Sequence, residues 1–569
     1  VLGHVGSWHP GRAFGGWDLR VNFGLDYFGL DSYRDITGVD AQDCVPQLST
    51  KLGDSVARSN GRSGCIVEQY MGRSPGAGDL YAGYWGLTLQ ELRAQAIRLT
   101  LAGARQFLFH GFYQTDGRDG DDAMFTNPRF DFPPGINFEP WWPFHRRFAD
   151  EVARLSEFLD GAQPECDVAV LYPLRTIWAE GPGHSYGDHL EFWTSFLAEE
   201  GFGYHLIDER DLLKAQMRDG LLCLPGRAYR GLVLPSVTTL GSAAAGDALR
   251  AFVAAGGLLV SSGCPPQAAQ DGTDEALAAA WSAIGARRPS GSHIDGLPSA
   301  AVAGELLAPL LGGHPHATAS WVPGAAGQLW QWAGAEDAGS GAAARLALFN
   351  DSEEPADVTI ATARAAAGWQ EWDPATGRCP SWAEQEAAAG QELTLRLEPM
   401  ELKLIRLRAA AAAADGQARP VPPRSAGPGP ASEVATIPLA SGWTLRVPGL
   451  AEEPVPVDVS QGWERQGFAS YSGVGIYACQ FDRPDGRSCR LRLPAVRAAV
   501  EVTVNGRPVG ARGWAPYEFA LPGDLLRPTA NRLEIAVFSA AGNKYYAGTP
   551  YQTGPEASGL LEPPVLLAS

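Results

Sequence analysis

The residue whose surroundings best suit it for chemistry is Glu68. It lies in the run CIVEQYMG, where a short apolar segment predicts a strand that ends near the glutamate and is followed by a glycine-rich loop. A carboxylate placed there can serve as a general base or as a nucleophile. In β/α barrels the catalytic groups collect at the carboxyl ends of the strands, which is the position predicted for Glu68.

The segment after Glu68 predicts the next helix and strand of such a barrel. Thr88 and Glu91 have the spacing of a capping box, and Gly103 suits the end of a helix. The helix between them has an apolar face made of Leu89, Leu92, Ala96 and Leu99. The apolar run 107–109 then predicts a strand covered on both faces.

Two further side chains should emerge at the same end of the barrel as Glu68. His110 and Tyr113 directly follow the predicted strand at 105–110. They are candidates for hydrogen bonds to a substrate. Equally, both can have structural roles, with His110 hydrogen-bonded within the protein and the ring of Tyr113 packed against its neighbours.

The next helix repeats apolar residues at intervals of three and four positions up to Gly161, namely Phe144, Phe148, Val152, Leu155 and Leu159. The pattern changes after this helix, so the strand at 105–110 is predicted to be the last of the barrel and the strand of Glu68 the seventh.

Several motifs together resemble the α-L-rhamnosidase-type glycoside hydrolases of family 106 and their unclassified relatives. They are GHVG, DITGVD, VEQYMG, YWGLTLQEL, FLFHGFY, FPPG and DVAVLYPLRTIW. The resemblance implies a glycoside hydrolase that acts on oligo- or polysaccharides. In that family a glutamate on a late barrel strand works with a second glutamate from earlier in the barrel, and Glu68 matches the late one as base or nucleophile.

The same resemblance suggests further substrate contacts. Asp40, in DITGVD, lies at a loop that resembles the family's substrate side, and His4 in GHVG and Trp85 in YWGLTLQEL are further candidates for substrate contacts. Calcium is reported for the resembling family, so a Ca²⁺ ion beside Glu68 or at the acidic loop 115–122 stays open, although that loop lacks EF-hand spacing. No other cofactor is expected.

The segment available for the barrel is shorter than a complete β/α barrel. A β/α barrel needs roughly 250 residues, and only residues 1–163 precede the next predicted domain. We therefore expect Val1 to lie in mid-barrel, with the first four strands and the partner glutamate upstream. If both catalytic carboxylates lie within this sequence instead, Asp40 is the first partner to examine.

The rest of the chain predicts three more domains, which makes the fold a multidomain combination of α/β and all-β parts. Alternating strands and helices predict a doubly wound domain at 164–290 that resembles class I amidotransferases. Their nucleophile motif is absent, since Cys264 is followed by two prolines. A β-sandwich at 291–408, a linker at 409–432 and a jelly-roll (galactose-binding-like) domain at 433–569 follow. In the last of these we expect a tight turn at Asn505–Gly506, and packing roles rather than ligand contacts for Trp514 and Tyr517.

Composition excludes some partners. The net charge of −19 and the pI near 5.0 argue against nucleic acid and anionic membranes. The 17 Trp residues are compatible with carbohydrate binding, although most should be core residues.

The eight cysteines show no metal-binding spacing, and unpaired thiols are expected at Cys479 and Cys489. No membrane span or signal peptide is visible, so a soluble protein is expected. Its location, cytoplasmic or exported, stays open, and so does assembly into a homo-oligomer.

Two classes of function remain. The first is a glycoside hydrolase, most like an α-L-rhamnosidase, with a retaining β-galactosidase-like hydrolase as the alternative enzyme. The second is a non-catalytic carbohydrate-binding protein or an inactive fragment. The sugar, the linkage and the stereochemical course depend on the shape of the pocket and stay open at this point.

Overall fold

The structure is a computed structural model. The residues that it describes are 2–5, 27–31, 48–69, 86–109, 136–181, 185–285, 291–311, 315–321, 327–336, 342–361, 366–379, 392–409, 435–484, 489–545, 547–548 and 554–568. Within these segments, none of the helices is long and apolar enough to span a membrane.

The first part of the chain forms a parallel sheet with helices, here named the parallel β/α unit. Its strands lie side by side in chain order and are Leu2–Val5 (β1), Tyr27–Asp31 (β2), Cys65–Gln69 (β3) and Ala104–Phe109 (β4). All three strand pairings are parallel. Its helices are Leu48–Ser59 (α1), Leu89–Ala102 (α2) and His145–Asp160 (α3), the last preceded by 3₁₀ turns at Ile136–Phe138 and Trp142–Phe144. Strands and helices alternate as expected, and membership in an eight-stranded barrel stays a prediction.

The local signals around α2 are confirmed. The Thr88 hydroxyl accepts a hydrogen bond from the Glu91 amide at 3.2 Å, and the Glu91 carboxylate accepts one from the Thr88 amide at 2.7 Å. The helix ends at Gly103, whose φ of 130° favours glycine. The predicted apolar faces of α2 and α3 are buried, including Leu92 and Leu155.

The prediction that β4 is covered on both faces is wrong. Leu108 is 44% exposed, whereas its neighbours Phe107 and Phe109 are partly buried against the helices. The reason is the position of the strand, because β4 pairs with β3 and has no second neighbour among the described residues. An apolar run therefore indicates a strand but does not establish that both of its faces are covered.

The next part of the chain, the doubly wound unit, is built around a parallel sheet. Its strands are Val168–Leu171 (β6), Tyr204–Ile207 (β7), Gly231–Pro235 (β11), Leu258–Ser262 (β13) and Gly291–Ile294 (β15), in the spatial order β15-β13-β11-β6-β7. Its helices are Leu174–Glu180 (α4), Tyr186–Glu199 (α5), Glu209–Lys214 (α6), Ala243–Ala254 (α7), Asp274–Gly285 (α8) and Ala300–Leu307 (α9), with a 3₁₀ turn at Ala308–Leu310. Short strands flank the sheet at Gln216–Arg218 (β8), Leu221–Leu224 (β9), Arg227–Tyr229 (β10), Thr239–Leu240 (β12) and Ala268–Ala269 (β14).

This sheet extends past the predicted boundary at residue 290. Strand β15 pairs in parallel with β13, so the strand at 291–294 belongs to the doubly wound unit and not to the following sandwich. All pairings in this sheet are parallel, as the alternation of strands and helices indicates, and the likeness to class I amidotransferases stays a prediction.

Two antiparallel sheets follow and enclose a common apolar core, as expected of a β-sandwich. Gln163–Pro164 (β5), which lies at the predicted boundary of the parallel β/α unit, pairs with the strand Gln328–Ala335 (β17) at the edge of this sandwich unit. The other strands are His316–Trp321 (β16), Ala342–Asp351 (β18), Ala356–Ala361 (β19), Ala366–Trp372 (β20), Glu392–Leu397 (β21) and Leu402–Ala409 (β22).

The last part, the C-terminal β unit, has a four-stranded and a six-stranded antiparallel sheet around a second core. Its strands are Ala435–Pro438 (β23), Thr444–Val447 (β24), Ala451–Pro456 (β25), Val474–Phe481 (β26), Cys489–Arg492 (β27), Val496–Arg497 (β28), Ala499–Val504 (β29), Arg507–Arg512 (β30), Glu518–Leu521 (β31), Asn531–Phe538 (β32), Gly559–Leu560 (β33) and Val565–Ala568 (β34), with a 3₁₀ turn at Trp463–Arg465 and a short helix at Gly542–Tyr545 (α10). The jelly-roll class itself stays a prediction.

Three sequence predictions for this unit are confirmed. Asn505 and Gly506 both have positive φ values, 52° and 76°, as the tight turn between β29 and β30 requires. Cys479 and Cys489 are free buried thiols. Tyr517 is buried and its hydroxyl donates to the Ala498 carbonyl at 2.6 Å, which is a packing role.

The other units enclose the helices of the parallel β/α unit. Helix α1 packs on the doubly wound unit, where the Leu206 amide donates to the Ser55 hydroxyl at 2.9 Å. Helices α2 and α3 pack on the sandwich and on the C-terminal β unit, where the Ala515 amide donates to the Gln90 side chain at 2.9 Å. The helices that flank Glu68's strand are therefore held from several sides.

Candidate functional site

Glu68 is the penultimate residue of β3, at the carboxyl end of a strand that lies between β2 and β4. Val67 and Gln69 on either side of it are fully buried, whereas Glu68 is partly exposed. Because side chains alternate along a strand, Val67 and Gln69 face the helices and Glu68 faces the opposite side of the sheet. The register pairs Glu68 with Leu108, which is also exposed. This is the position that the sequence predicted for a catalytic carboxylate.

The strand end that carries Glu68 is fixed from behind. The Gln69 side-chain amide donates to the Leu92 carbonyl at 3.2 Å and to the Gln95 side chain at 2.5 Å. Both acceptors belong to α2, whose first turn is set by the capping box at Thr88. The backbone beside Glu68 is thereby tied to the helix that follows it, which is the kind of support that a positioned carboxylate needs.

The register also brings a second acidic residue to this end of the sheet. Asp31 is the last residue of β2 and the Cα partner of Glu68. Neighbouring strands lie roughly 4.8 Å apart, so the backbones of the two acidic residues are adjacent. Asp31 was not among the predicted site residues, although YFGLD has the same pattern as CIVE, a short apolar strand that ends in an acidic residue.

A buried carboxyl group joins the parallel β/α unit to the C-terminal β unit near the start of α2. Glu139 is almost fully buried, and its carboxylate accepts a hydrogen bond from the Ala541 amide at 2.8 Å. Burial raises the pKa of Glu139 well above its usual range, and the amides of Ala541 and Gly86 offset this only in part. Its burial makes Glu139 a structural contact rather than a group that reaches substrate.

The remaining predicted site residues are not brought together by the described structure. His4 lies in β1, where its backbone pairs with Gly29. The other predicted substrate contacts lie outside the described residues and are Asp40, Trp85, His110 and Tyr113. Their roles stay predictions.

No cluster of three or more potential metal-ligating side chains occurs within the described part of the chain. The loop 115–122, which the sequence offered as a Ca²⁺ candidate, lies outside that part. His189 is buried in α5, and its Nδ1 lies 2.8 Å from the Ser262 hydroxyl, which is a packing role within the doubly wound unit.

The turn after β11 in the doubly wound unit has a positive φ at a residue other than glycine, as does Asp219 between β8 and β9. Ser236 follows β11 directly with a φ of 49°, and it is fully buried. Its hydroxyl accepts a hydrogen bond from the Cys264 amide at 3.2 Å. The Cys264 thiol is exposed on the loop after β13. A serine with no access to solvent supports a structural role for this turn.

Comparison with known proteins gives a fold likeness. No protein-family profile matches the sequence, and no curated protein matches it either. Among solved structures, a rhamnosidase from Novosphingobium sp. PP1Y matches with a TM-score of 0.60 and 20% sequence identity, over 92% of this chain and 49% of the rhamnosidase. The chain thus has a multidomain fold shared with a glycosidase and spans about half of that protein's length.

Two other solved structures match over short parts of the chain. An FMN-binding β-glucuronidase from Faecalibacterium prausnitzii L2-6 matches at 21% identity over 24% of this chain and 22% of its own. A GH2 β-galacturonidase from Eisenbergiella tayi matches at 23% identity over 24% of each chain. Both have a TM-score of 0.20, which is too low to support an argument.

Proposed function

We propose that this chain is part of a glycoside hydrolase, with an α-L-rhamnosidase as the first candidate, and that Glu68 is a catalytic carboxylate. The observation that carries the proposal is the place of Glu68, partly exposed at the carboxyl end of β3 in a parallel β/α sheet. The fold likeness to a rhamnosidase supports the same class of enzyme.

Glu68 has one of two roles in this chemistry. In an inverting enzyme its carboxylate takes a proton from water while the water oxygen bonds to the anomeric carbon. A second carboxylic acid protonates the leaving oxygen as the glycosidic bond breaks. In a retaining enzyme an oxygen of Glu68 bonds to the anomeric carbon, the leaving group departs with the proton of the second acid, and water then releases the sugar.

The second acid is the open element of this mechanism. Asp31 is the described acidic residue whose backbone is paired with Glu68, and Asp40 is the acid suggested by the family resemblance. A third candidate is a glutamate from the part of the barrel that the resemblance places upstream. Substituting Asp31 and Asp40 in turn separates these cases. When the true acid is removed, the rate falls far less on a substrate with a good leaving group, because such a group departs without being protonated.

The proposed substrate is a neutral sugar at the nonreducing end of an oligo- or polysaccharide. His4, Trp85, His110 and Tyr113 are proposed as its contacts, since hydroxyl-rich ligands need hydrogen-bond partners and aromatic faces. A Ca²⁺ ion is a further candidate at this end of the sheet, where acidic side chains are its preferred ligands.

The test is release of nitrophenol from a panel of aryl glycosides by the full-length gene product. Glu68→Gln keeps the shape of the side chain and removes its charge, so kcat should fall by about 10²–10⁴-fold or more while the melting temperature is unchanged. Glu157→Gln is the matched control, because Glu157 is an exposed glutamate on α3 of the same unit. Equal activity of the two variants, or a loss of folding in Glu68→Gln, would reject the catalytic role.

One other result would favour a different class of protein. If the full-length product binds oligosaccharides but hydrolyses no glycoside in the panel, a non-catalytic carbohydrate-binding protein becomes the better account. In that case Glu68→Gln should change the dissociation constant rather than a rate.

A further inference from the structure

The doubly wound unit contains a crevice at the point where the order of its sheet reverses. From β6 the chain continues to β7 on one side and then to β11 on the other, so β6 and β11 flank the switch point. In open α/β sheets, ligands bind outside the carboxyl ends of the strands at this point, because the connections diverge there and leave a gap. The residues that follow β6, β7 and β11 line a cavity of about 230 Å³ at this position.

The wall of the crevice includes an exposed tryptophan. Trp178 in α4 is 50% exposed, an unusual state for so large an apolar side chain. The floor is apolar and consists of the buried residues Leu171, Leu174, Val237 and Leu240. The Arg175 guanidinium lies over the Trp178 ring, 6.0 Å from its centroid. A half-exposed indole beside an apolar floor, with polar groups at the edge, is the usual make-up of a small-molecule site.

The charged groups of the crevice are paired with each other. Arg175 donates to the Glu209 carboxylate at 3.2 Å, and the Gly241 amide donates to the same carboxylate at 2.7 Å. Arg210 pairs with Asp208, its Nε donating at 2.8 Å. Two cations are thus matched by two anions, which leaves no net charge to attract an ionic ligand.

We propose that this switch-point crevice binds a single neutral sugar ring, with the ring of Trp178 as its platform and the Arg175–Glu209 pair as its polar contact. Its volume is below the roughly 300–1,000 Å³ of sites for drug-sized ligands, which favours one ring over an oligosaccharide. The C–H face of a sugar packs on an indole face, and its hydroxyls meet guanidinium donors and carboxylate acceptors.

This site lies in a different unit from Glu68, and the proposal does not depend on catalysis there. It gives the doubly wound unit a binding role in place of the amidotransferase chemistry for which Cys264 is unsuited. A sugar held in this crevice would place the protein on a carbohydrate surface independently of the bond that is cleaved.

The test is ligand-detected NMR on the full chain carrying Glu68→Gln, so that no hydrolysis competes with binding. The probes are the methyl glycosides of L-rhamnose, D-galactose and D-glucose, with inorganic phosphate and acetate as anionic probes. We expect at least one neutral probe to bind, and Trp178→Ala to weaken that binding by about tenfold or more. Trp178→Gln is a second variant with the same expected effect, and both should fold because the side chain is half exposed.

Leu213→Ala is the matched control, since Leu213 is 45% exposed in the same unit but does not line the crevice. It should bind the neutral probe as the parent does. Neutral binding that is unchanged in both Trp178 variants, no neutral binding at all, or preferential binding of phosphate or acetate would overturn the proposal. With Glu68 intact, Trp178→Ala should leave release of nitrophenol unchanged, so failure of this site and failure of the proposed catalysis give different results.

Discussion

Arg93 offers a sharp test of how the units hold the strand of Glu68 in place. Its guanidinium lies on α2 and forms a two-point pair with Glu151 on α3, with Nη2 2.9 Å from the carboxylate. Nη1 donates to the Met400 carbonyl of the sandwich unit at 2.7 Å. The guanidinium also lies 4.8 Å from the ring centroid of Trp514 in the C-terminal β unit. One side chain therefore contacts three other structural elements.

The expected cost of Arg93→Met follows from burial. The side chains of Arg93 and Glu151 are only 2% and 3% exposed, so the substitution leaves a buried carboxylate without its partner. Breaking such a pair typically costs about 3–5 kcal/mol, and loss of the cation–π contact adds to this by up to about 2 kcal/mol. In the double variant Arg93→Met/Glu151→Met both charges are gone. The remaining losses are the donor to the Met400 carbonyl, about 1–3 kcal/mol, and the same cation–π contact, up to about 2 kcal/mol.

Hydrogen exchange measured peptide by peptide is the appropriate assay, because a chain of several units need not unfold in one step. Arg93→Met should lower protection in α2, in the Met400 region and around Trp514 together. Arg98→Met is the control, since Arg98 is on the same helix and pairs with Asp351 of the same sandwich but is 20% exposed. We expect it to cost about 1 kcal/mol or less. The reasoning is refuted if Arg98→Met is as damaging as Arg93→Met, or if the double variant is less stable than Arg93→Met alone.

Three further predictions concern ionisable groups. Because the pKa of Glu139 is raised in the folded state, its stabilising contribution is complete below about pH 4.5 and is lost as the pH rises through the folded-state pKa. Glu139→Gln should therefore flatten the fall in the free energy of unfolding with rising pH, as measured by chemical denaturation. Burial, with the nearby Lys51 charge, lowers the pKa of His205 to about 3, so its contribution to the free energy of unfolding is present above about pH 6.5 and is lost as the pH falls toward 3. His205→Gln should therefore reduce the loss of stability in that pH range. A pH dependence of unfolding that is unchanged in the variant would contradict this. Cys264→Ser should leave glycosidase activity unchanged and stability within about 0.5 kcal/mol, and a Cys264-dependent release of ammonia from glutamine would contradict the structural interpretation.

Local features of the fold could be predicted from the sequence because their causes are local. The capping box at Thr88, the helix stop at Gly103 and the turn at Asn505–Gly506 each depend on a few neighbouring residues. The position of Glu68 at a strand end was predictable for the same reason, since an apolar run and a glycine-rich loop mark the two sides of it.

Features that depend on which strands become neighbours could not be predicted. The exposure of Leu108 reflects the place of β4 at the side of the described sheet, and the pairing of Asp31 with Glu68 is a matter of register. The contact of Arg93 with Met400 spans 307 positions of the chain. The packing role of Trp514 was the favoured prediction, and its cation–π contact with Arg93 is consistent with it.

The most direct test of the central claim is chemical rescue of Glu68→Ala with azide, measured on the best aryl glycoside for the full-length gene product. Removal of the carboxylate leaves room for a small anion beside the anomeric carbon. The account predicts that the variant is almost inactive alone, and that azide restores nitrophenol release together with a glycosyl azide in which the azide nitrogen has replaced the aryloxy group. Full activity without azide, or no response to azide by a folded variant of an active enzyme, would contradict the assignment of Glu68 as the catalytic carboxylate.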